Sequence, residues 1–317
     1  MYHRFYGFKE QPFNITPSSH FFFPSAKHLE ALNTLIYAIE ERKGFVVITG
    51  EVGAGKTTIC RALLNQLQTK TKVALITNTL ITRGDLLSLI LEDLGVEFTR
   101  RSKVHLLSHL NRYLIQKLKE NNNVVLIIDE AQNLSTSLLE EVRLLSNLET
   151  ENEKLIQIIF LGQPELREKL ALSRLKQLRQ RIAVYYHLMP LSLEESLEYI
   201  RHRLKIASGT NRPYFSHKAL ELIYEFSKGV PRLINQICDN ALLSGYVLEA
   251  PVIDEEIIKE EIKNSPTAQI TGNPLNSLEG IRHGIDSSSG QFLKDPQVDP
   301  GLPEHDWDLP LKERKAK

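Results

Sequence analysis

A glycine-rich segment between an apolar run and a helical stretch constrains this chain more than any other feature. It reads Gly50-Glu-Val-Gly-Ala-Gly-Lys-Thr57 and fits the pattern G-x-x-x-x-G-K-[ST]. Its glycines let the backbone curl so that successive N–H groups face one point, and the N-terminus of the following helix adds its dipole. The segment therefore predicts a loop that holds the phosphates of a nucleotide.

Two side chains of this loop have predicted roles of their own. The Lys56 ammonium is expected to reach the β and γ phosphates, and the Thr57 hydroxyl to bind Mg²⁺. The cofactors predicted on this basis are ATP and Mg²⁺. The predicted phosphate-binding residues are Gly50, Glu51, Val52, Gly53, Ala54, Gly55, Lys56, Thr57 and Thr58.

The pattern of short and long apolar segments predicts an α/β core. Five short β-branched runs begin near residues 45, 73, 124, 155 and 183, and amphipathic stretches of helical period separate them. Fully apolar short strands that alternate with helices are typical of a parallel sheet covered on both faces. We therefore predict a nucleotide-binding α/β domain over residues 27–189.

The rest of the chain divides into three further segments. Residues 1–26 are rich in aromatic residues and proline, which predicts an irregular lead-in packed on the domain surface. Residues 190–263 contain four helical patterns and no strand pattern, so they predict a small all-helical lid domain. Residues 264–317 are rich in proline, glycine and serine and predict a disordered tail.

Composition excludes several classes of protein. Thirty-nine basic residues balance 39 acidic ones, so no overall field draws the chain to nucleic acid or anionic lipid. The two cysteines lack metal-site or disulfide spacing. The sequence predicts no export signal and no membrane-spanning segment. A cytoplasmic protein is the expectation, with peripheral recruitment to the inner membrane left open.

Two carboxylates follow the third predicted strand, Val124–Ile128. Asp129 and Glu130 would then lie at the carboxyl edge of the sheet, beside the phosphate loop. Asp129 is predicted to hold Mg²⁺ through its water shell, and Glu130 to orient and deprotonate the water that attacks the γ phosphorus. Taken without the phosphate loop, the two residues could instead be ordinary polar residues at a strand terminus.

Four other polar residues are candidates with an alternative reading each. Gln163 follows the fourth strand and could contact the γ phosphate, or it could cap a helix. Arg181, or else Arg179, could stabilise the phosphoryl transition state in a neighbouring subunit, or both could belong to a solvated basic face. Arg232, at the start of a lid helix, is predicted to contact phosphate, with a surface ion pair as the alternative.

Together these motifs resemble those of AAA+ ATPases of the ExeA, or general secretion pathway protein A, family. The matching segments are FYGFKEQPFNITPS, ALNTLIYAIEERKGFVVITGEVGAGKTT, IIDEAQNL, FLGQPEL, LRQRI, YIRHRL and GVPRLIN, within residues 2–263. The resemblance implies a P-loop AAA+ fold with strand order 5-1-4-3-2, a helical lid, and a homo-oligomer whose ATP site is shared between subunits. It also implies that Gln163 resembles sensor 1 and Arg232 sensor 2.

The resemblance favours a role in envelope assembly. Longer family members continue into a transmembrane segment and a peptidoglycan-binding domain, which this sequence lacks, so the chain is more similar to the ATPases of exosortase and exopolysaccharide loci. Such a protein would act through an inner-membrane secretion or polysaccharide-assembly partner. The same group is similar to the transposition ATPases TniB and MuB, so a DNA-binding ATPase is the alternative function. Near-zero net charge and the lack of a DNA-recognition motif weigh against it.

Overall fold

The computed structural model describes residues 1–14, 16, 18–67, 70–99, 102–151 and 153–265. The predicted disordered tail lies outside the described residues except for its first two positions. Within the described part, no helix is long and apolar enough to cross a membrane.

Five parallel strands form one sheet in the order β2-β3-β4-β1-β5, which confirms the predicted order 5-1-4-3-2. The register pairs Thr49 of β1 with Gly162 of β4 on one side and with His187 of β5 on the other. The carboxyl ends of neighbouring strands therefore meet at one edge. The strands are β1 (Phe45–Gly50), β2 (Thr71–Ile76), β3 (Asn123–Ile128), β4 (Gln157–Gly162) and β5 (Ile182–Leu188).

Helices cover both faces of this sheet because its central strands carry apolar residues on both sides. In β1, Val46 and Ile48 belong to one apolar cluster and Phe45 and Val47 to the other. The alternation follows from the two-residue period of a strand. The helices of this region are α2 (Ala26–Glu40), α3 (Lys56–Gln66), α4 (Arg83–Asp93), α5 (Lys103–Lys119), α6 (Thr136–Leu145), α7 (Glu165–Ala171) and α8 (Lys176–Arg179).

Within the described residues, four helices follow the last strand, in agreement with the predicted helical lid. A capping box at Ser192 and Glu195 starts the first of them, and Pro231 occupies the first turn of the third. The lid helices are α9 (Leu193–Ser208), α10 (His217–Ser227), α11 (Pro231–Val247) and α12 (Glu255–Asn264).

The N-terminal lead-in packs against the lid. The hydroxyl of Tyr6 donates to the carbonyl of Ala250 over 2.9 Å, and Phe13 is fully buried with its ring beside Phe215. Residues Tyr2–Tyr6 form a short helix, α1, so the expectation of an irregular segment is wrong there. Aromatic residues of the lead-in pack against lid residues more than 200 positions away and stabilise the lead-in. A local sequence pattern does not show such contacts.

Candidate functional site

The phosphate loop connects the carboxyl end of β1 to the first turn of α3. Gly55 has φ 104° and immediately precedes Lys56, the first residue of the helix. A left-handed backbone angle of this kind favours glycine, which carries no Cβ. The loop therefore presents its N–H groups at a helix N-terminus, the arrangement that binds phosphate.

Gly53 brings the loop into contact with the lid. Its φ is +80°, and a Cβ there would lie 2.4 Å from the Cβ of Arg232. The backbone N–H of Arg232 donates to the carbonyl of Gly53 over 3.3 Å. The start of α11 thus lies directly on the phosphate loop, and this places the exposed Arg232 side chain at the predicted phosphate site.

Lys56 is buried within the loop. Its Nζ donates to the carbonyls of Gly50 and Glu51 over 2.7 and 2.9 Å. Burial lowers the pKa of the Lys56 amine, and the nearby carboxylates of Glu130 and Asp129 partly offset this effect. A cation in poorly solvated surroundings interacts more strongly with an incoming phosphate than one in water does.

Thr57 and Asp129 form the predicted metal-binding pair. The hydroxyl of Thr57 donates to Oδ2 of Asp129 over 3.0 Å, and Asp129 is almost wholly buried. Burial raises the pKa of the Asp129 carboxyl, while hydrogen bonds from the Glu130 N–H and Thr57 oppose the rise. A hydroxyl and a carboxylate suit Mg²⁺, which usually takes one or two protein oxygens and completes its shell with phosphate and water. The pair therefore fits the ion.

Glu130 follows Asp129 in a left-handed backbone conformation, with φ 51°. Its Oε2 accepts hydrogen bonds from the amides of Gln132 and Gln163 over 2.6 and 3.2 Å. Burial alone would raise the pKa of the Glu130 carboxyl, but these two hydrogen bonds and the charge of Lys56 outweigh it and hold that pKa below its usual value. Glu130 is thus kept ionised and oriented.

Gln132 is a site residue that sequence reasoning missed. Besides its bond to Glu130, its Oε1 accepts from the backbone N–H of Gln163 over 3.0 Å. The Nζ of Lys169 in turn donates to the carbonyls of Gln132 and Leu134. Gln132 therefore connects the ends of β3 and β4. The polar residues Asp129, Glu130 and Gln132 after an apolar strand were the available signal, but they do not indicate which side chains meet.

His28 is a second residue at the loop that the sequence analysis did not identify. It is buried beneath the loop, where Nε2 donates to the carbonyl of Ala54 over 3.1 Å and Nδ1 lies 2.8 Å from Oγ of Ser25. A Cβ on Gly55 would lie 2.8 Å from His28 Nε2. Helix α2 thus supports the phosphate loop through one imidazole.

The two candidate arginines lie apart from this cluster. Arg179 donates to the carbonyls of Leu170 and Ala171 over 3.1 and 2.9 Å, and Arg181 donates to Oγ of Ser146 over 2.6 Å. Both side chains are partly exposed. Neither is among the described residues that line the cavity at the phosphate loop.

That cavity has a volume of about 450 Å³ and is lined mainly by the phosphate loop, the lead-in and the lid, with His28 of α2 and Glu130 after β3. Most of the predicted phosphate-binding residues of the loop line the cavity. Gly50 and Ala54 are buried and do not line it, and the carbonyl of Glu51 accepts a hydrogen bond from Lys56. The other walls include Phe21–Phe23 from the lead-in and Tyr199 and Asn235 from the lid. The predicted site residues that line it are Val52, Gly53, Gly55, Lys56, Thr57, Thr58, Glu130 and Arg232.

Known proteins are similar to this chain in sequence. The family described as AAA domain matches residues 39–170. General secretion pathway protein A from Aeromonas hydrophila is 44% identical over 247 residues, which are 78% of this chain and 45% of that protein. The chain thus spans less than half the length of that relative.

Two solved structures share the fold. Cdc6p from Pyrobaculum aerophilum has a TM-score of 0.60 at 18% identity. The match covers 78% of this chain and 71% of the Cdc6p chain. The ORC2 protein of Aeropyrum pernix, solved as ADPNP–ADP complexes, has a TM-score of 0.58 at 16% identity. The match covers 81% of this chain and 72% of the ORC2 chain. The chain therefore contains an AAA domain with the P-loop AAA+ fold, and over most of its length it is a homologue of general secretion pathway protein A.

Proposed function

We propose that this chain binds ATP with Mg²⁺ and hydrolyses it to ADP and phosphate. One observation carries the proposal: Lys56, Thr57 and Glu130 line a single cavity, and Asp129 accepts a hydrogen bond from the Thr57 hydroxyl. A bound Mg²⁺ would neutralise developing charge on the phosphates. The chain's own residues would bind the phosphates and activate the attacking water.

Each of these residues has one task in the proposed reaction. Lys56 leaves its two carbonyl partners and binds the β and γ phosphates. The Glu130 carboxylate accepts a proton from a water molecule whose oxygen bonds to the γ phosphorus, and the bond from that phosphorus to the β–γ bridging oxygen breaks to release ADP. Gln163 and Arg232 contact the γ phosphate from the sheet edge and the lid.

The proposal extends to assembly and cellular role. We propose a homo-oligomer in which Arg181 or Arg179 of one subunit completes the ATP site of the next, since neither lines its own cavity. The similarity to general secretion pathway protein A supports a role in secretion or in envelope or exopolysaccharide assembly. The chain would then work in the cytoplasm and be recruited to the inner membrane by a secretion or polysaccharide-assembly protein. Its nearness to the exosortase-locus group stays a prediction.

Steady-state ATPase activity, measured against the protein's own concentration with and without duplex DNA, tests this proposal. We expect Mg²⁺-dependent specific activity that rises with protein concentration and does not respond to DNA. The Lys56→Ala variant should lose ATP binding, and unchanged affinity in that variant would remove the P-loop from its role. Strong stimulation by DNA would instead favour the DNA-binding, TniB-like or MuB-like function.

A further inference from the structure

Three buried polar side chains of the lid form a hydrogen-bonded relay that lines the cavity. Arg203 Nη1 donates to the hydroxyl of Tyr199 over 2.7 Å, and that hydroxyl donates to Oδ1 of Asn235 over 2.9 Å. All three residues line the cavity and are less than a tenth exposed. Buried polar groups in such a network have fixed directions, because each donor needs an acceptor.

The direction of the relay follows from chemistry. A guanidinium can only donate hydrogen bonds, so the Tyr199 oxygen accepts from Arg203 and must send its own hydrogen elsewhere. That hydrogen goes to Asn235, which makes the bonded atom of the amide its oxygen. The amide nitrogen, Nδ2, is therefore the group left over, and among the described residues it has no hydrogen-bond partner.

Arg203 is itself held in a fixed place. Its Nε and Nη2 donate to the lead-in carbonyls of Pro12 and Asn14 over 2.5 and 3.3 Å, and its guanidinium lies 4.7 Å from the centre of the Phe21 ring. No carboxylate pairs with it among these contacts. The charge is satisfied by backbone oxygens and aromatic faces, so the relay starts from a rigid donor.

The position of Asn235 matches the nucleoside rather than the phosphates. Arg232 lies on the phosphate loop, and Asn235 is three residues further along α11, about 4.5 Å along the helix axis. The aromatic residues Phe21–Phe23 line the same cavity and suit the faces of a purine. We propose that the Asn235 amide donates a hydrogen bond to an acceptor on the base, and that Tyr199 and Arg203 are positioning residues that fix its orientation. This inference rests on the proposed ATP site.

Binding of ATP and of inorganic tripolyphosphate, measured by calorimetry, tests the proposal. Tripolyphosphate uses the loop but has no base. Tyr199→Phe and Asn235→Leu should each weaken ATP binding by about fivefold, the worth of one neutral hydrogen bond, and leave tripolyphosphate binding unchanged. Tyr214→Phe, which removes a buried lid hydroxyl outside this cavity, is the matched control and should alter neither.

The double variant separates positioning from a general structural effect. If Tyr199 acts through Asn235, then Tyr199→Phe should cost no further ATP affinity in the Asn235→Leu background. Additive losses, equal losses for tripolyphosphate, or unchanged ATP affinity would each overturn the relay. Absence of ATP binding by the unsubstituted protein would instead overturn the proposed function.

Discussion

The side-chain amide of Gln132 lies 2.6 Å from the Glu130 carboxylate, and its oxygen accepts the backbone N–H of Gln163 over 3.0 Å. One residue thus orients the proposed base and also connects it to the strand that carries the proposed phosphate sensor. Because Gln132 forms both bonds, the orientation of Glu130 is coupled to the junction of β3 and β4.

Removing Gln132 should alter the acidic side of the pH–rate profile. In Gln132→Leu, Glu130 loses a hydrogen bond that favours its ionised form, so its pKa rises from its lowered value. The base is then protonated at higher pH, and activity should fall at a higher pH than in the unsubstituted protein, with kcat reduced about tenfold. Steady-state kcat across pH 4 to 8 measures this. A fall in kcat without movement of the acidic limb would contradict the role.

Removing the charge of Glu130 should separate binding from hydrolysis. Glu130→Gln keeps the shape but cannot accept the proton of the attacking water, so kcat should fall by about 10²- to 10⁴-fold while the Kd for ATP changes little. Glu165→Gln, which neutralises an exposed carboxylate nearby, is the matched control. Turnover of Glu130→Gln near that of the control would remove Glu130 from the base role.

Gly53 should be more sensitive than a comparable glycine elsewhere. Gly53→Ala forces a left-handed angle on alanine and places its Cβ against Arg232, whereas Gly95 has φ +69° with open space around it. In both variants the left-handed angle should lower the free energy of unfolding by about 1 kcal/mol. Only Gly53→Ala also has a steric clash, so its free energy of unfolding should fall by at least ~1 kcal/mol more. Urea unfolding without nucleotide measures the difference. Equal losses would mean that the loop and α11 separate readily.

His28 should make stability depend on pH. Burial lowers the pKa of this imidazole, while its bond to the Ala54 carbonyl and the charge of Glu195 oppose the shift. Since the unfolded chain binds the proton more readily, stability is lost as pH falls below about 6.5 towards the lower pKa of the folded state.

A variant isolates this contribution. His28→Gln should show a smaller loss of unfolding free energy between pH 7.5 and 5.5 than the unsubstituted protein. His105→Gln, at an exposed position, serves as the control. Its unfolding free energy should fall between pH 7.5 and 5.5 by as much as that of the unsubstituted protein. Parallel pH profiles for His28→Gln and the unsubstituted protein would show that His28 does not contribute.

The candidate arginines should act between subunits. Arg181→Ala, or else Arg179→Ala, should bind ATP normally and lose turnover by about 10³-fold or more. When the inactive variant is mixed with Lys56→Ala, activity should return in part, because one subunit supplies an intact loop and its neighbour an intact arginine. ATPase assays of the mixture measure the recovery. No recovery at any ratio would contradict a shared site.

Much of the fold followed from local patterns in the sequence. The five apolar runs predicted the strands within a few residues, and the helical spacing after Pro190 predicted the lid helices, because periodicity reflects which side of each element is buried. The phosphate loop and the Asp129–Glu130 pair were also readable, since their chemistry requires particular residues next to a strand end. The role of each residue stays a prediction that the experiments above address.

The remaining parts of the site depend on contacts between distant segments. His28 and Ala54 are 26 positions apart, and Arg203 and Pro12 are 191 apart. The direction in which a short polar side chain points is set by packing of whole elements, which a single sequence does not display.

The sequence by itself therefore determined most of the strands and helices and their order along the chain, and it predicted the residues able to hold phosphate, since these follow from local chemistry and period. Only the tertiary structure showed that Gln132 contacts Glu130, that His28 contacts the loop, and that hydrogen bonds run from Arg203 through Tyr199 to Asn235 at the cavity. The physical reason is that a buried hydrogen-bond network is defined by the three-dimensional placement of its donors and acceptors, and folding alone brings them within bonding distance.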